Sequence, residues 1–137
     1  MAVFVFTDAV VTINSVNLSD HVRQATLTYE AEIQDATAMG VGTRSRIAGL
    51  KNWNLEVAFN QDFAAGNVDA TLYALIGAAP FPITVKPTSG AISATNPEYQ
   101  GNAVLASYQP AAANMGEVAQ TTARFESSGA LTRDVTP

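Results

Sequence analysis

Two stretches of strict alternation, joined by a glycine-containing segment, constrain this chain more than any other feature. Ala25, Leu27, Tyr29, Ala31 and Ile33 alternate with Gln24, Thr26, Thr28, Glu30 and Glu32. Further on, Trp53, Leu55, Val57 and Phe59 alternate with Asn54, Glu56, Ala58 and Asn60. A period of two over this length means long strands with one apolar and one polar face. The segment between them, Asp35 to Gly49, is too long for a tight hairpin and too patterned for a plain linker. The unit reads as one that builds an assembly rather than an active site.

The rest of the chain supports a mainly β reading. Val3 to Phe6 is apolar on both faces, as in a doubly covered strand or an arm lying on another surface. Val11 and Ile13 open a short strand that ends in the turn-rich group Asn14 to Asn17. One helix is expected. Asn67 can cap it, Asp69 sits in its first turn, and Gly77 suits a left-handed stop. Val68, Leu72, Leu75 and Ile76 make its apolar stripe, which should cover one face of the sheet. Pro80 and Pro82 prevent its continuation, and Ile83 to Val85 forms a short strand closed by Pro87. Thr88 to Pro97 is a surface loop, and Tyr99 to Gln109 returns as a strand with Val104, Ala106 and Tyr108 on one face. Pro110 to Gly116 connects it to a long strand, Val118 to Glu126. There Ala119, Thr121, Ala123 and Phe125 oppose Gln120, Thr122, Arg124 and Glu126. A turn at Ser127 to Gly129 leads to a last strand, Leu131 to Val135. The expected fold is an antiparallel β-sandwich or barrel with one flanking α-helix. It forms a single domain over 1–137, with an N-terminal arm at 1–7 and a long loop at 35–49.

Composition narrows the function. Charged residues make up only 14% of the chain against 47% hydrophobic, so much of the surface is expected to be covered in use. Twelve acidic residues outnumber seven basic ones, and no basic cluster exceeds the Arg44 and Arg46 pair. Gripping a phosphate backbone is therefore disfavoured. The absence of cysteine excludes disulfides and thiolate metal sites. No stretch approaches the roughly 20 apolar residues of a membrane helix, and the apolar start lacks the basic flank of a signal peptide. A soluble chain made in a cytoplasm is expected. On that reading the glycosylation-like tripeptide Asn17-Leu-Ser19 carries no meaning.

The candidate chemical groups have plainer readings. Glu30 and Glu32 share one strand face at roughly 7 Å, a spacing comparable to that of paired glycosidase carboxylates. Their neighbours Gln24, Thr26 and Thr28 make a solvated face the better account. Asp35 adds an oxygen ligand nearby, but no calcium-loop spacing is present. His21, the sole histidine, lacks a nucleophile on a recognisable turn and the partners of a metal site, and reads as a surface or interface residue. Gly40 and Gly42 are a fragment of a phosphate loop without its Lys-Ser/Thr, so backbone freedom is their expected role. Tyr29, Trp53, Phe59, Tyr108 and Phe125 fall on apolar faces, as core or as core extended across an interface, and not as a sugar-stacking platform. Phe81 and Tyr99 are undetermined.

The sequence resembles the major tail tube proteins of long-tailed, non-contractile bacteriophages. The resemblance runs through Asp35-Ala-Thr37 and Gly40, the basic pair, and Ile47-Ala-Gly-Leu-Lys51. It continues through Trp53-x-Leu-x-Val-x-Phe59, Asp62, Leu72, Leu75 and Gly77, then Asn96-Pro-Glu-Tyr99 and Gly129-x-Leu-Thr-Arg133. Each motif is short; their order and spacing over most of the chain carry the likeness. It implies a structural virion protein without catalysis or cofactor. Subunits form hexameric rings that stack into a tube, and their inner sheets join into a ring-shaped β-barrel around a channel for DNA. Implied partners are other copies of the chain, the tape measure protein, the tail terminator and distal tail or baseplate proteins. DNA passes through without specific binding, and no membrane is involved. The place is the virion tail, assembled in the host bacterial cytoplasm.

On this reading the loop residues Asp35, Thr37, Met39, Arg44 and Arg46 reach a neighbouring subunit, where the arginines meet acids. Gln24, Thr26, Thr28, Glu30, Glu32, Asn54, Glu56, Gln120, Thr122, Arg124 and Glu126 form the face chosen for the lumen. An acidic, lysine-poor wall would let a polyanion slide. Alternatives are a tail terminator or the inner tube protein of a contractile injection system, then a carbohydrate-binding sandwich, then a hydrolase using Glu30 and Glu32.

Overall fold

Among the described residues, eight antiparallel strands and one short α-helix make up the fold. The computed structural model describes residues 7–40, 42–64, 66–111 and 115–136. The strands are β1 (Val10–Ile13), β2 (Val16–Asn17), β3 (Val22–Asp35) and β4 (Arg46–Asn60), followed by helix α1 (Val68–Leu72). Then come β5 (Phe81–Lys86), β6 (Glu98–Tyr108), β7 (Gln120–Ser127) and β8 (Thr132–Asp134). They form one sheet in the order β2-β1-β5-β6-β7-β4-β3, with β8 pairing β6 beyond the end of β7. Among the described residues the sheet is not closed, and β2 and β3 stand at the two ends of that order.

The alternating residues read from the sequence make the core. Trp53, Leu55, Val57 and Phe59 of β4 are buried with Ala123 and Phe125 of β7 and Phe81, Ile83 and Val85 of β5. Phe81 and Phe125 meet edge to face, with ring centroids 5.9 Å apart. Val68, Leu72 and Leu75 join the same cluster, so the helical segment covers the inner face as expected. Thr121 is buried among them, and its hydroxyl donates to the Gln109 carbonyl. At the β1–β2 turn, Asn14 and Ser15 both take positive φ (49° and 68°), the requirement of a two-residue primed turn.

Trp53 fixes how the sheet curls. Its ring lies on Gly101 of β6, where an added Cβ would stand 2.5 Å from Cζ2. Its indole N–H donates to the Gly129 carbonyl at 3.0 Å, in the excursion between β7 and β8. Only glycine at position 101 leaves room for the indole.

Several expectations change. The helix is shorter than the Asn67–Gly77 span: α1 passes into a 3-10 turn at Tyr73–Leu75, and Ile76 is extended and exposed. The Asn67 side chain does not cap it but donates to Asp62 at 2.7 Å. On β6 the buried residues are Ala103 and Leu105, not Val104 and Ala106. An irregularity between Leu105 and Ser107 shifts the parity and brings Tyr108 inward opposite Ala123. The 35–49 loop shrinks to residues 36–45, because β3 runs through Asp35 and β4 begins at Arg46. Val3 to Phe6, the rest of the proposed arm before Thr7, and positions 112–114 of the Pro110–Gly116 connection lie outside the described residues.

Candidate assembly interface

The β3–β4 hairpin is the longest paired unit and has two unlike halves. In the inner half, β4 lies between β3 and β7, with Thr26, Glu56 and Arg124 in line across the three strands. β7 reaches β4 only from Asn54 to Asn60. Beyond Asn54, β3 and β4 continue as a two-stranded ribbon to the pair Asp35 and Arg46. Among the described residues, no strand pairs the outer edge of β3 or the free edge of β4 over Arg46–Trp53. Tyr29 is 53% exposed, Ile33 57%, Ile47 60% and Leu50 80%. An isolated two-stranded ribbon is marginal in water, and open edges invite pairing with another chain.

The ribbon carries its own irregularity. Between the pairs Ala31–Lys51 and Ile33–Ala48, β4 advances one residue more than β3. A Cβ on Gly49 would come within 3.3 Å of the Glu32 carbonyl oxygen, so glycine serves the close strand approach there. Beyond the irregularity, Ile47 stands opposite Gln34 on the polar side.

The loop at the ribbon's end is tied at its base. The Asp35 carboxylate accepts the Thr37 amide at 2.9 Å and the Arg44 guanidinium at 2.6 Å. The Ser45 amide donates to the Thr37 hydroxyl at 2.7 Å, and the Ala36 amide to the Ser45 carbonyl at 2.8 Å. Hydrogen bonds from Thr37, and then Arg44, hold the Asp35 carboxyl below its ordinary value. Met39 stands fully exposed at the tip, and Gly40 takes a positive φ. Arg44 therefore already has an acid within its own loop. Both partners are solvated, so the pair holds weakly.

The strand residues chosen for a lumen wall do share one face. Gln24, Thr26, Thr28 and Glu30 of β3 stand opposite Ala58, Glu56, Asn54 and Asn52 of β4. Thr122, Arg124 and Glu126 of β7 continue the rows beyond Ala58, Glu56 and Asn54, and Gln120 stands opposite Asn60. Arg124 lies between two acids, 2.7 Å from Glu126 and 3.6 Å from Glu56. Glu126 first, and Glu56 after it, raise its pKa above the ordinary value. The Glu32 carboxylate accepts a hydrogen bond from the Gln34 side-chain Nε2 at 2.5 Å. Among the described residues, no group of three or more His, Asp or Glu could hold a metal ion. Among the described residues, no helix is long and apolar enough to cross a membrane.

A second polar cluster fastens the hairpin's root. His21 is not a free surface residue. Its Nε2 lies 2.9 Å from Asp62, which also accepts from the Ala64 amide and the Asn67 side chain. Ala64, then His21, keep the Asp62 carboxyl below its ordinary value. Nearby, the Tyr108 hydroxyl donates to Asp69 at 2.7 Å and accepts from Gln61 at 3.0 Å. Burial and the Asp69 carboxylate push the Tyr108 phenol up to about 12. These contacts join residues 39 to 47 positions apart, and no local motif announces them.

No protein-family model matches the sequence, and no curated protein matches it. Solved structures do. A chain from the virion of a native gene transfer agent particle superposes with a TM-score of 0.78 at 15% identity, covering 97% of this chain and 100% of that one. The chain has a tail-tube-like fold. A chain from the tail of an empty gene transfer agent particle, refined with C6 symmetry, gives 0.66 at 20% identity over 85% and 83% of the two chains. A chain from the sheath-tube complex of an extracellular contractile injection system gives 0.71 at 11% identity over 98% and 92%. The likeness extends over nearly the whole of the described fold.

Proposed function

We propose that the protein is a structural subunit of a phage-type tail tube. Copies associate into hexameric rings, and the rings stack around a channel through which DNA leaves. The observation that carries the reading is the ribbon: two open strand edges and an uncovered apolar row, on a fold that recurs in tail assemblies. A neighbour's sheet satisfies both. It pairs the backbone edge and covers Tyr29 and Ile33, and a closed ring leaves no edge exposed. The tied loop, with Asp35, Thr37, Met39, Arg44 and Arg46, reaches the next subunit or ring. Arg44 exchanges Asp35 for a neighbour's acid there, or bridges both. The face from Gln24 to Glu32, with Asn54, Glu56 and Gln120–Glu126, lines the channel. Its one arginine is held by two acids, so it offers phosphate little to grip.

On this reading the protein is not an enzyme. It works with the tape measure protein, a terminator and distal tail proteins, within a virion tail assembled in the host cytoplasm. A terminator or an inner tube protein of a contractile injection system is the second reading. A chain from the sheath/tube terminator structure of such a system has the same fold, with a TM-score of 0.72. Negative-stain imaging of the concentrated protein tests the proposal. Tubes of uniform bore are expected, and a protein that stays monomeric even with tail partners supplied sinks it.

A further inference from the structure

The outer edge of β3 has a self-complementary middle. Among the described residues no strand pairs this edge, and its register with β4 is regular from Gln24 to Ala31. An irregularity closes each end of that run. At the root, Val22 and Gln24 stand opposite the adjacent residues Phe59 and Ala58, so Arg23 is the extra residue, charged and exposed. At the other end lies the irregularity between Ala31 and Ile33. A bulge ends the stretch of an edge that another strand can join, and a charge upon it strengthens the stop.

Thr28 lies at the middle of the stretch. A second copy of the same segment, laid antiparallel with Thr28 opposite itself, brings Leu27 against Tyr29 and Ala25 against Ala31 on the apolar face. On the polar face Thr26 meets Glu30 and Gln24 meets Glu32. Each pair occurs twice. No acid stands opposite an acid, and the aliphatic–aromatic pair is a favourable cross-strand contact. Moving the axis to Glu30 would instead set that carboxylate against its own copy. With the axis at Thr28, Arg23 of each copy comes beside Glu32 of the other, an opposite charge.

The bodies of two such copies also fit. Thr28 pairs with Asn54, the last residue of β4 that β7 reaches. The axis thus falls where the body gives way to the ribbon. Antiparallel pairing sets the body of one copy beside the ribbon of the other, and the half-exposed Tyr29 gains a neighbour.

We propose that the free protein pairs with a second copy of itself through β3, antiparallel and two-fold about Thr28. This contact is isologous and closed, whereas a ring joins two different edges. The pairing stands independently of the tube reading. On that reading, the pair keeps subunits out of the tube and opens before either one joins a ring.

The absence of native cysteine allows a clean test. On the axis, two copies of residue 28 have Cα atoms about 4.5–5.5 Å apart, within the reach of a disulfide. Copies of residue 26, or of residue 30, are roughly 13 Å apart. Thr28→Cys, Thr26→Cys and Glu30→Cys proteins are each oxidised with diamide. The expected result is a disulfide-linked dimer in most Thr28→Cys molecules and at least a several-fold lower yield from the other two. Equal yields from all three, or no dimer from Thr28→Cys, would overturn the pairing; tubes forming from the parent protein beside that result would leave the tube reading in place. In sedimentation, the unmodified protein should run at twice the chain mass when concentrated and at the chain mass when dilute. Thr28→Lys, which sets two cations against each other on the axis, should run at the chain mass throughout. A folded Thr28→Lys protein that still pairs would also overturn the proposal.

Discussion

The body of the protein and the distal ribbon are written in the same alternating pattern, yet only one of them buries its apolar face. Leu55 and Val57 of β4 have a strand on either side and are fully buried in the core cluster that also holds Val68 and Leu72. Tyr29 and Ile33 of β3 carry the same kind of side chain and face water. Burial of an aliphatic side chain is favourable by about 1.5–3 kcal/mol. The body gains that free energy in folding, whereas the ribbon does not. What separates them is the length of β7, which stops beside Asn54. A strand that ends early leaves half a hairpin with open edges and an uncovered apolar row.

The contrast can be broken most strongly from the body side. Trp53→Ala removes the indole that lies on Gly101 and holds Gly129; it should destabilise the chain by about 3–5 kcal/mol in urea unfolding. Gly101→Ala attacks the same contact by overfilling. A loss of about 1–3 kcal/mol is expected, and an unchanged midpoint would show that the indole is free to move. The ribbon should respond in the opposite sense. Ile33→Ser with Leu50→Ser should alter the unfolding midpoint of the isolated chain by no more than about 0.5 kcal/mol, because both side chains are already solvated. Tube yield in electron micrographs should nonetheless collapse; a full yield of tubes would remove the ribbon from the interface.

Smaller effects sharpen the comparison. Asp62 has its pKa lowered below 3.8 in the folded state, so its contribution is present above that value and fades as pH falls through the folded value. Stability should therefore drop below about pH 4, and Asp62→Asn should flatten that limb of the pH profile. The smallest effect is expected from Glu30→Gln with Glu32→Gln, which should leave both unfolding and tube yield close to the parent. Failure of those tubes to form would give the two acids a structural part in assembly.

The strands of the body were legible because burial and alternation coincide there. Leu55 with Val57, and Ala123 with Phe125, announce both a strand and its buried side. The same signal misleads on β6, where the irregularity before Ser107 makes Ala103 and Leu105, not Val104 and Ala106, the inner residues. One extra residue inverts parity and leaves no mark in composition. The ribbon's exposure was only half legible. Tyr29 could be read as core or interface, because alternation reports a face and not whether anything covers it. The ties from His21 to Asp62 and from Trp53 to Gly129 were not legible at all. They join positions 41 and 76 residues apart, and pairs so distant are set by how the sheet curls.

Trp53 stands opposite Tyr29 at the point where the body gives way to the ribbon. It is the only tryptophan of the chain. The protein therefore carries a single indole fluorophore, selectively excited at the red edge of protein absorption, at the border of its proposed joining surface. A neighbour that covers Tyr29 changes the polarity beside the indole. Its emission should then shift with subunit concentration and follow assembly in real time, without a label.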